Sequence, residues 1–188
     1  MDTAQGSAGG IGGRRPRVAV ISVGDELIDG LYPDLNAPLV AREASALGLE
    51  VCGLRVVGDG VGALRAEIES LAPLVDEIVI SGGLGPTEDD RTRAEVAAAA
   101  GVELEEDAQA LADVRAWFEA RQRVWAESNR VQALFPRGAR VLPNPVGTAP
   151  GFALRLARAE LSCLPGPPRE LERLLRDHVI PRWRALPG

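Results

Sequence analysis

Residues 78–92 read IVISGGLGPTEDDRT and hold the densest set of groups in the chain that could do chemistry. Gly82, Gly83 and Gly85 allow backbone N–H groups to approach a phosphate closely. A helix opening at Glu88 would add about half a positive charge at the same corner. Immediately behind stand Glu88, Asp89 and Asp90. Carboxylates cannot hold phosphate themselves, but they can hold a divalent metal that does. The pattern points to a nucleotide-like ligand and to metal-assisted chemistry at a phosphoester or anhydride. The same residues also have a structural reading. Thr87 is a good N-cap, Asp90 three residues on approaches a capping box, and acids in a first helical turn favour the dipole unaided. Glu88 fits that reading better. Asp90, with three glycines before it and Thr92 after it, fits the functional one better.

Two other apolar runs end in acids. Gly24-Asp25-Glu26-Leu27 follows the first, and Gly58-Asp59-Gly60 follows the second. Asp25 is either a ligand contact or a turn residue, Asp59 either a catalytic acid or a cap, and Asn36 either a contact or a cap. Other chemistries are excluded by residue type. All 21 basic residues are arginine, so Schiff-base and P-loop lysine chemistry is ruled out. The single histidine, His178, reads as a surface-helix residue, and Cys52 and Cys163 are isolated in apolar runs. Neither a His/Cys zinc site nor a serine–histidine triad can be built from them. They read as buried thiols of a reducing compartment. A net charge of −6 argues against nonspecific nucleic-acid binding.

The elements that must position these residues alternate. Residues 17–23, 50–57 and 77–80 read as strands; residues 36–47, 61–74 and 88–100 carry helical spacing. Strand and helix in alternation imply right-handed crossovers and a parallel, doubly wound sheet. Ligands bind such sheets at the carboxyl ends of the strands, which puts Asp25, Asp59 and the 82–90 loop on one edge. Downstream, residues 107–121 form an amphipathic helix and 127–134 a second helical piece. Residues 152–156 and 160–164 form a hairpin, and a terminal helix begins at Arg169. Trp117, Phe118 and Trp125 read as core. Residues 1–16 read as a disordered tail that is neither signal peptide nor anchor. No apolar run approaches the roughly 20 residues needed to span a bilayer, so a cytoplasmic protein is expected.

Seven separated motifs then agree with one family. They are Asp25-Glu26-Leu27, Asn36, Val57-Gly58-Asp59, residues 82–92, Asn129-Arg130-x-Gln132-Ala133, residues 143–151 around Asn144 and Gly147, and Leu164-Pro165-Gly166-Pro167-Pro168. Their order resembles the N-terminal domain of the CinA (competence/damage-inducible) proteins, a branch of the MoaB/Mog molybdopterin-binding fold. The resemblance spans residues 17–183. It implies a three-layer α/β domain over residues 17–186, with a mostly parallel doubly wound sheet and a small β-hairpin subdomain.

It also implies an activity. Domains of this kind are associated with ADP-ribose pyrophosphatase activity, giving AMP and ribose 5-phosphate with a divalent metal such as Mg²⁺ and help from K⁺. The related Mog proteins instead bind and adenylylate molybdopterin, using two aspartates that correspond to Asp59 and Asp90. The implied catalytic residues are Asp90 and Asp59, with Asp89, Asp90 and Asp25 as metal ligands. Implied ligand contacts are Gly24, Asp25, Asn36, Gly82, Gly83, Gly85, Thr87, Asn129, Arg130, Asn144 and Gly147. Arg130 has a surface salt bridge as its ordinary alternative, and Asn144 and Gly147 have a loop-shaping one. The chain departs from the family where Leu35 replaces a common threonine and Glu88 a common basic residue. It ends near where an amidase domain usually follows, so that reaction is expected to be absent. A homo-oligomer is expected by analogy, with no nucleic-acid or membrane partner.

Overall fold

A computed structural model describes residues 14–186. Its centre is a six-stranded sheet whose inner strands are buried on both faces. β1 (Arg17–Val23), β2 (Glu50–Val57), β3 (Glu77–Ser81) and β8 (Ala159–Leu164) run parallel. β7 (Gly151–Leu156) and β6 (Arg140–Leu142) continue the same sheet antiparallel, in the order β2-β1-β3-β8-β7-β6. Because helices cover both faces, β1 and β3 are apolar at successive positions rather than alternating. Ala19, Ile21, Ile78 and Ile80 enter one core layer, while Val18, Val20 and Val79 enter the other.

The first layer is closed by α3 (Ala63–Leu71) and α4 (Thr92–Ala100), with Leu64, Ile68 and Val96 facing inward. The second is closed by α2 (Asn36–Ala46) and by the C-terminal pair α6 (Pro168–Leu174) and α7 (Ile180–Arg184), through Val40, Leu171 and Trp183. Pro181, lacking an N–H, interrupts the terminal helix, and a π-turn over Leu175–Val179 absorbs the break. Between β1 and α2 lies a single helical turn, α1 (Asp25–Ile28). The remaining pieces are β4 (Leu104–Glu106), α5 (Ala108–Ala120), a 3-10 segment (Glu127–Ala133) and β5 (Leu134–Pro136).

The expected doubly wound α/β architecture holds, with differences in detail. The hairpin at the end of the chain belongs to the main sheet; the small separate antiparallel unit is β4 with β5. α4 begins at Thr92 rather than Glu88. Trp117, Phe118 and Trp125 lie outside both core layers, half-buried in an edge-to-face stack, with Arg121 and Arg123 over Trp117 and Arg115 over Trp125. Of the expected tail, residues 1–13 lie outside the described residues. Arg14 and Arg15 are already anchored, Arg14 to the Asp76 carboxylate at 2.6 Å and Arg15 to the Gly48 carbonyl at 2.7 Å. Among the described residues no helix is long and apolar enough to cross a membrane.

Candidate functional site

The carboxyl ends of β1, β3 and β8 open onto one cleft of about 260 Å³, walled by the 82–85 glycine stretch, Asp90, the Pro165-Gly166-Pro167 turn and Glu170. A second cleft of about 270 Å³ continues it, sharing Val23, Glu26, Gly82 and Gly166. The glycine loop is pulled tight against the start of α4. Thr92 donates its hydroxyl to the Gly82 carbonyl at 2.8 Å and its N–H to the Gly83 carbonyl at 3.1 Å. Gly83 sits at φ +66°, and a Cβ there would collide with Thr92 Oγ1. That approach is open to glycine alone.

Asp90 is not on a helix; it organises the loop. Its carboxylate accepts the Gly85 N–H at 2.8 Å, the Thr87 N–H at 2.9 Å and the Thr87 hydroxyl at 2.6 Å. Thr87 therefore serves Asp90 rather than capping α4. The other expected N–H donors are partly spent as well. Gly82 donates to Leu164 and Gly24 to Val57, each at 3.0 Å. Among the described residues, the N–H groups of Gly83, Leu84, Gly166, Thr148 and Ala149 at the cleft donate to nothing. The donors of the loop left free are thus Gly83 and Leu84, while Gly82 and Gly85 are spent on Leu164 and Asp90.

The charge around these donors is negative. Glu26, Asp90 and Glu170 all border the first cleft. Beside it, Asp25 and Asp59 brace two loops reciprocally: Asp25 N–H donates to Asp59 at 3.1 Å and Asp59 N–H to Asp25 at 3.0 Å. Burial raises the Asp59 carboxyl above its ordinary value. The Asp25, Glu26 and Asp89 charges push the same way, against the Asp25 N–H that lowers it. One positive charge lies behind the loop. Arg93 on α4 is 2 % exposed, donates to the Gln132 carbonyl at 3.3 Å and stands over the Phe135 ring. Burial lowers its guanidinium to about 10, with the Asp90 carboxylate opposing the drop, so it stays charged at neutral pH.

Among the described residues no three acids, histidines or cysteines converge closely enough to hold a metal by themselves. Mg²⁺ is commonly held by only one or two carboxylates together with substrate phosphates. The hard oxygens of Glu26, Asp90 and Glu170, lining one cleft with unspent N–H groups, fit a cation that arrives with a phosphate. They do not fit a dedicated protein cage.

Comparison with known proteins places this geometry. A family profile described as "Probable molybdopterin binding domain" matches residues 19–185. The structure of CinA from Thermoplasma acidophilum superposes with a TM-score of 0.79 at 32% identity, over 86% of this chain and 95% of that one. The chain belongs to the CinA branch of the molybdopterin-binding domain family. It is 41% identical over 165 residues to a CinA-like protein of Syntrophus aciditrophicus and 42% identical over 173 residues to one of Deinococcus radiodurans. It spans 39% and 43% of the length of those two relatives. At 19% identity, the molybdopterin biosynthesis enzyme MoaB of Thermus thermophilus shares the fold, with a TM-score of 0.59 over 92% of this chain and 98% of that one.

Within this CinA-family domain the expected site residues separate into groups. Gly82, Gly83, Gly85 and Asp90 line the first cleft and Asn36 the second. Asp25, Asp59 and Asp89 stand beside them without lining either. Asn129 and Arg130 are not at the cleft. Asn129 binds the Ala126 carbonyl and Gln132 within the 3-10 segment, and Arg130 pairs with Glu106 and Glu127. The family match gave them a ligand role; the local acids take Arg130 instead. Asn144 and Gly147 line a separate, mostly apolar groove of about 450 Å³ against α5. Asn144 shapes its own loop through Val146, Gly147 and Ala149, and reaches the site only by donating to Glu170 at 2.7 Å. Glu26 and Glu170 were not singled out from sequence. The signal for Glu170 was available, since it follows the turn after β8, whose carboxyl end must lie on the same edge as the glycine loop.

Proposed function

We propose that this domain binds a nucleotide-type pyrophosphate at the glycine loop and hydrolyses the pyrophosphate of ADP-ribose with a divalent metal. One observation carries the reading: Gly83 and Leu84, whose N–H groups are unspent, line the same cleft as the acids Glu26, Asp90 and Glu170. A bare polyanion would be repelled by those acids, whereas a phosphate that brings a cation is welcomed by both walls. One or two of Glu26, Asp90 and Glu170, together with the phosphates, would hold the cation. Once bound, it would neutralise charge on the phosphates and lower the pKa of a coordinated water towards neutrality. The chain's own part is positional. Gly83 and Leu84 donate to a phosphate oxygen, buried Arg93 supplies a fixed positive charge behind them, and Asp90 holds the loop in shape. Hydrolysis adds one water across the P–O–P bridge, so AMP and ribose 5-phosphate both leave as monophosphates.

A second reading, a molybdopterin-binding or molybdopterin-adenylylating domain, is favoured by the family description and by no residue of the cleft in particular. A domain that binds nucleotide without turning it over is the third. AMP release from ADP-ribose, with Mg²⁺ or Co²⁺ and with or without K⁺, separates them. Metal-dependent release is expected, lost in Asp90→Asn and weakened in Glu26→Gln. The Glu26 side chain makes no hydrogen bond among the described residues, so its variant tests charge without disturbing the loop. No release from protein that still binds AMP or molybdopterin would move the assignment to the other readings.

A further inference from the structure

The pole of the sheet opposite the glycine loop carries a charged cavity of its own. It measures about 240 Å³ and lies at the amino ends of β1, β3 and β8, among Arg14, Arg155, Arg158, Arg182, Asp76 and Glu77. Four guanidiniums against two carboxylates leave two positive charges in excess, in a chain whose net charge is −6. Glu160, in register with both Glu77 and Arg155, lies alongside without lining the cavity. Asp76 braces the arginines. Its oxygens accept from Arg14 Nη2 at 2.9 and 2.6 Å, from Arg158 Nε and Nη2 at 3.1 and 2.7 Å, and from the Arg17 N–H at 2.8 Å. Burial raises the Asp76 carboxyl, but the Arg17 N–H and the Arg158 and Arg14 guanidiniums outweigh it and hold it below its ordinary value. The brace leaves part of each fork over: among the described residues, Arg14 Nε and Nη1 and Arg158 Nη1 donate to nothing. Arg155 is exposed and spends none of its donors on the described residues. Arg182 is spent on Glu77 and adds charge alone.

We propose that this pole binds a phosphate dianion without metal, at a site separate from the glycine loop. The charge excess matches a dianion. The unspent donors come from three separate segments, before β1, within β7 and in the turn that follows it. Acceptors spread over several oxygens suit them better than the two in-plane oxygens of a carboxylate, and arginine forks match phosphate geometry. Arg14, Arg155 and Arg158 donate to the phosphate oxygens, while Asp76 positions two of the three. The site owes nothing to the reading of the glycine loop, whose acids admit phosphate only with a cation. Inorganic phosphate and a small phosphate monoester share the recognised chemistry.

The test is calorimetric titration of the whole chain in EDTA at low salt and about pH 8, where a phosphate monoester is a dianion. The probes are inorganic phosphate, ribose 5-phosphate and succinate. The phosphate probes are expected to bind saturably and about tenfold tighter than succinate, and the tighter of the two names the source. Amide NMR shifts should move at Asp76, Arg155 and Arg158 and stay still at Gly83 and Leu84. Arg155→Gln should weaken phosphate about tenfold through one lost charge-assisted donor. Since Arg155 is exposed and makes no side-chain bond among the described residues, its variant keeps the fold. Gly83→Ala, which removes phosphate from the glycine loop, should leave this metal-free binding unchanged. Absence of saturable phosphate binding in EDTA, equal binding of succinate, shifts confined to the glycine loop, or an Arg155→Gln protein that binds like wild type would each overturn the site.

Discussion

Asp59 shows how a single carboxyl records its surroundings. Its ordinary value is 3.8, and burial together with three neighbouring acids raises it in the folded chain. The folded state then binds a proton more readily than the unfolded one, so this residue makes stability fall as pH rises from about 3.8 through the folded value. At neutral pH the penalty is fully present. Asp59→Asn should therefore be at least as stable as wild type at pH 7 in urea unfolding, since Asn can still accept the Asp25 N–H. The difference between the two proteins should vanish by about pH 3.5. The residues that sequence reasoning singled out here were legible because acids after a strand end are a local pattern. That Asp90 spends its oxygens on Gly85 and Thr87 was not legible, since the same spacing suits a helix cap, a metal ligand or a loop brace. That Glu26 and Glu170 border the same cleft was not legible for another reason: they lie 144 positions apart, with no local spacing to pair them.

The glycine loop and α4 fold as one element. Thr92 ties both Gly82 and Gly83, and Glu95 on the same helix caps α3 by accepting from the Gly62 N–H at 3.0 Å and the Arg65 N–H at 3.2 Å. Gly83→Ala would add a methyl at positive φ and push Thr92 Oγ1 away. It is expected to cost about 1–3 kcal/mol in strain and lost bonding, read as a lower urea midpoint. It should also abolish phosphate binding, because the Gly83 N–H would no longer face the cleft. Element identity was readable from periodicity; element edges were not. Residues 88–91 look helical because acids favour a first turn, yet the Asp90 side chain and the Asp90 and Arg91 amides are consumed by the turn that precedes α4. The hairpin was likewise readable as a hairpin. Its membership of the main sheet depends on β8 pairing with β3, a contact no local window contains.

On the scale of the whole molecule, two apolar layers share one sheet, and the second is fastened through a buried ion pair. Glu77, the first residue of β3, is 2% exposed; it pairs with Arg182 and accepts from the Trp183 indole at 3.1 Å. Burial pushes its carboxyl up, and Arg182 offsets only part of that. Arg182→Ala leaves the carboxylate unpaired and should cost about 3 kcal/mol, seen as a lower thermal midpoint. Acidification should recover part of the loss, because a protonated Glu77 needs no counter-charge. The same fastening imposes an order on synthesis. β3 leaves the ribosome carrying a carboxylate whose partners lie 105 and 106 residues later, so the nascent chain exposes one unfinished apolar face until they too have emerged. Until Trp183 has emerged, that face is a binding surface for chaperones.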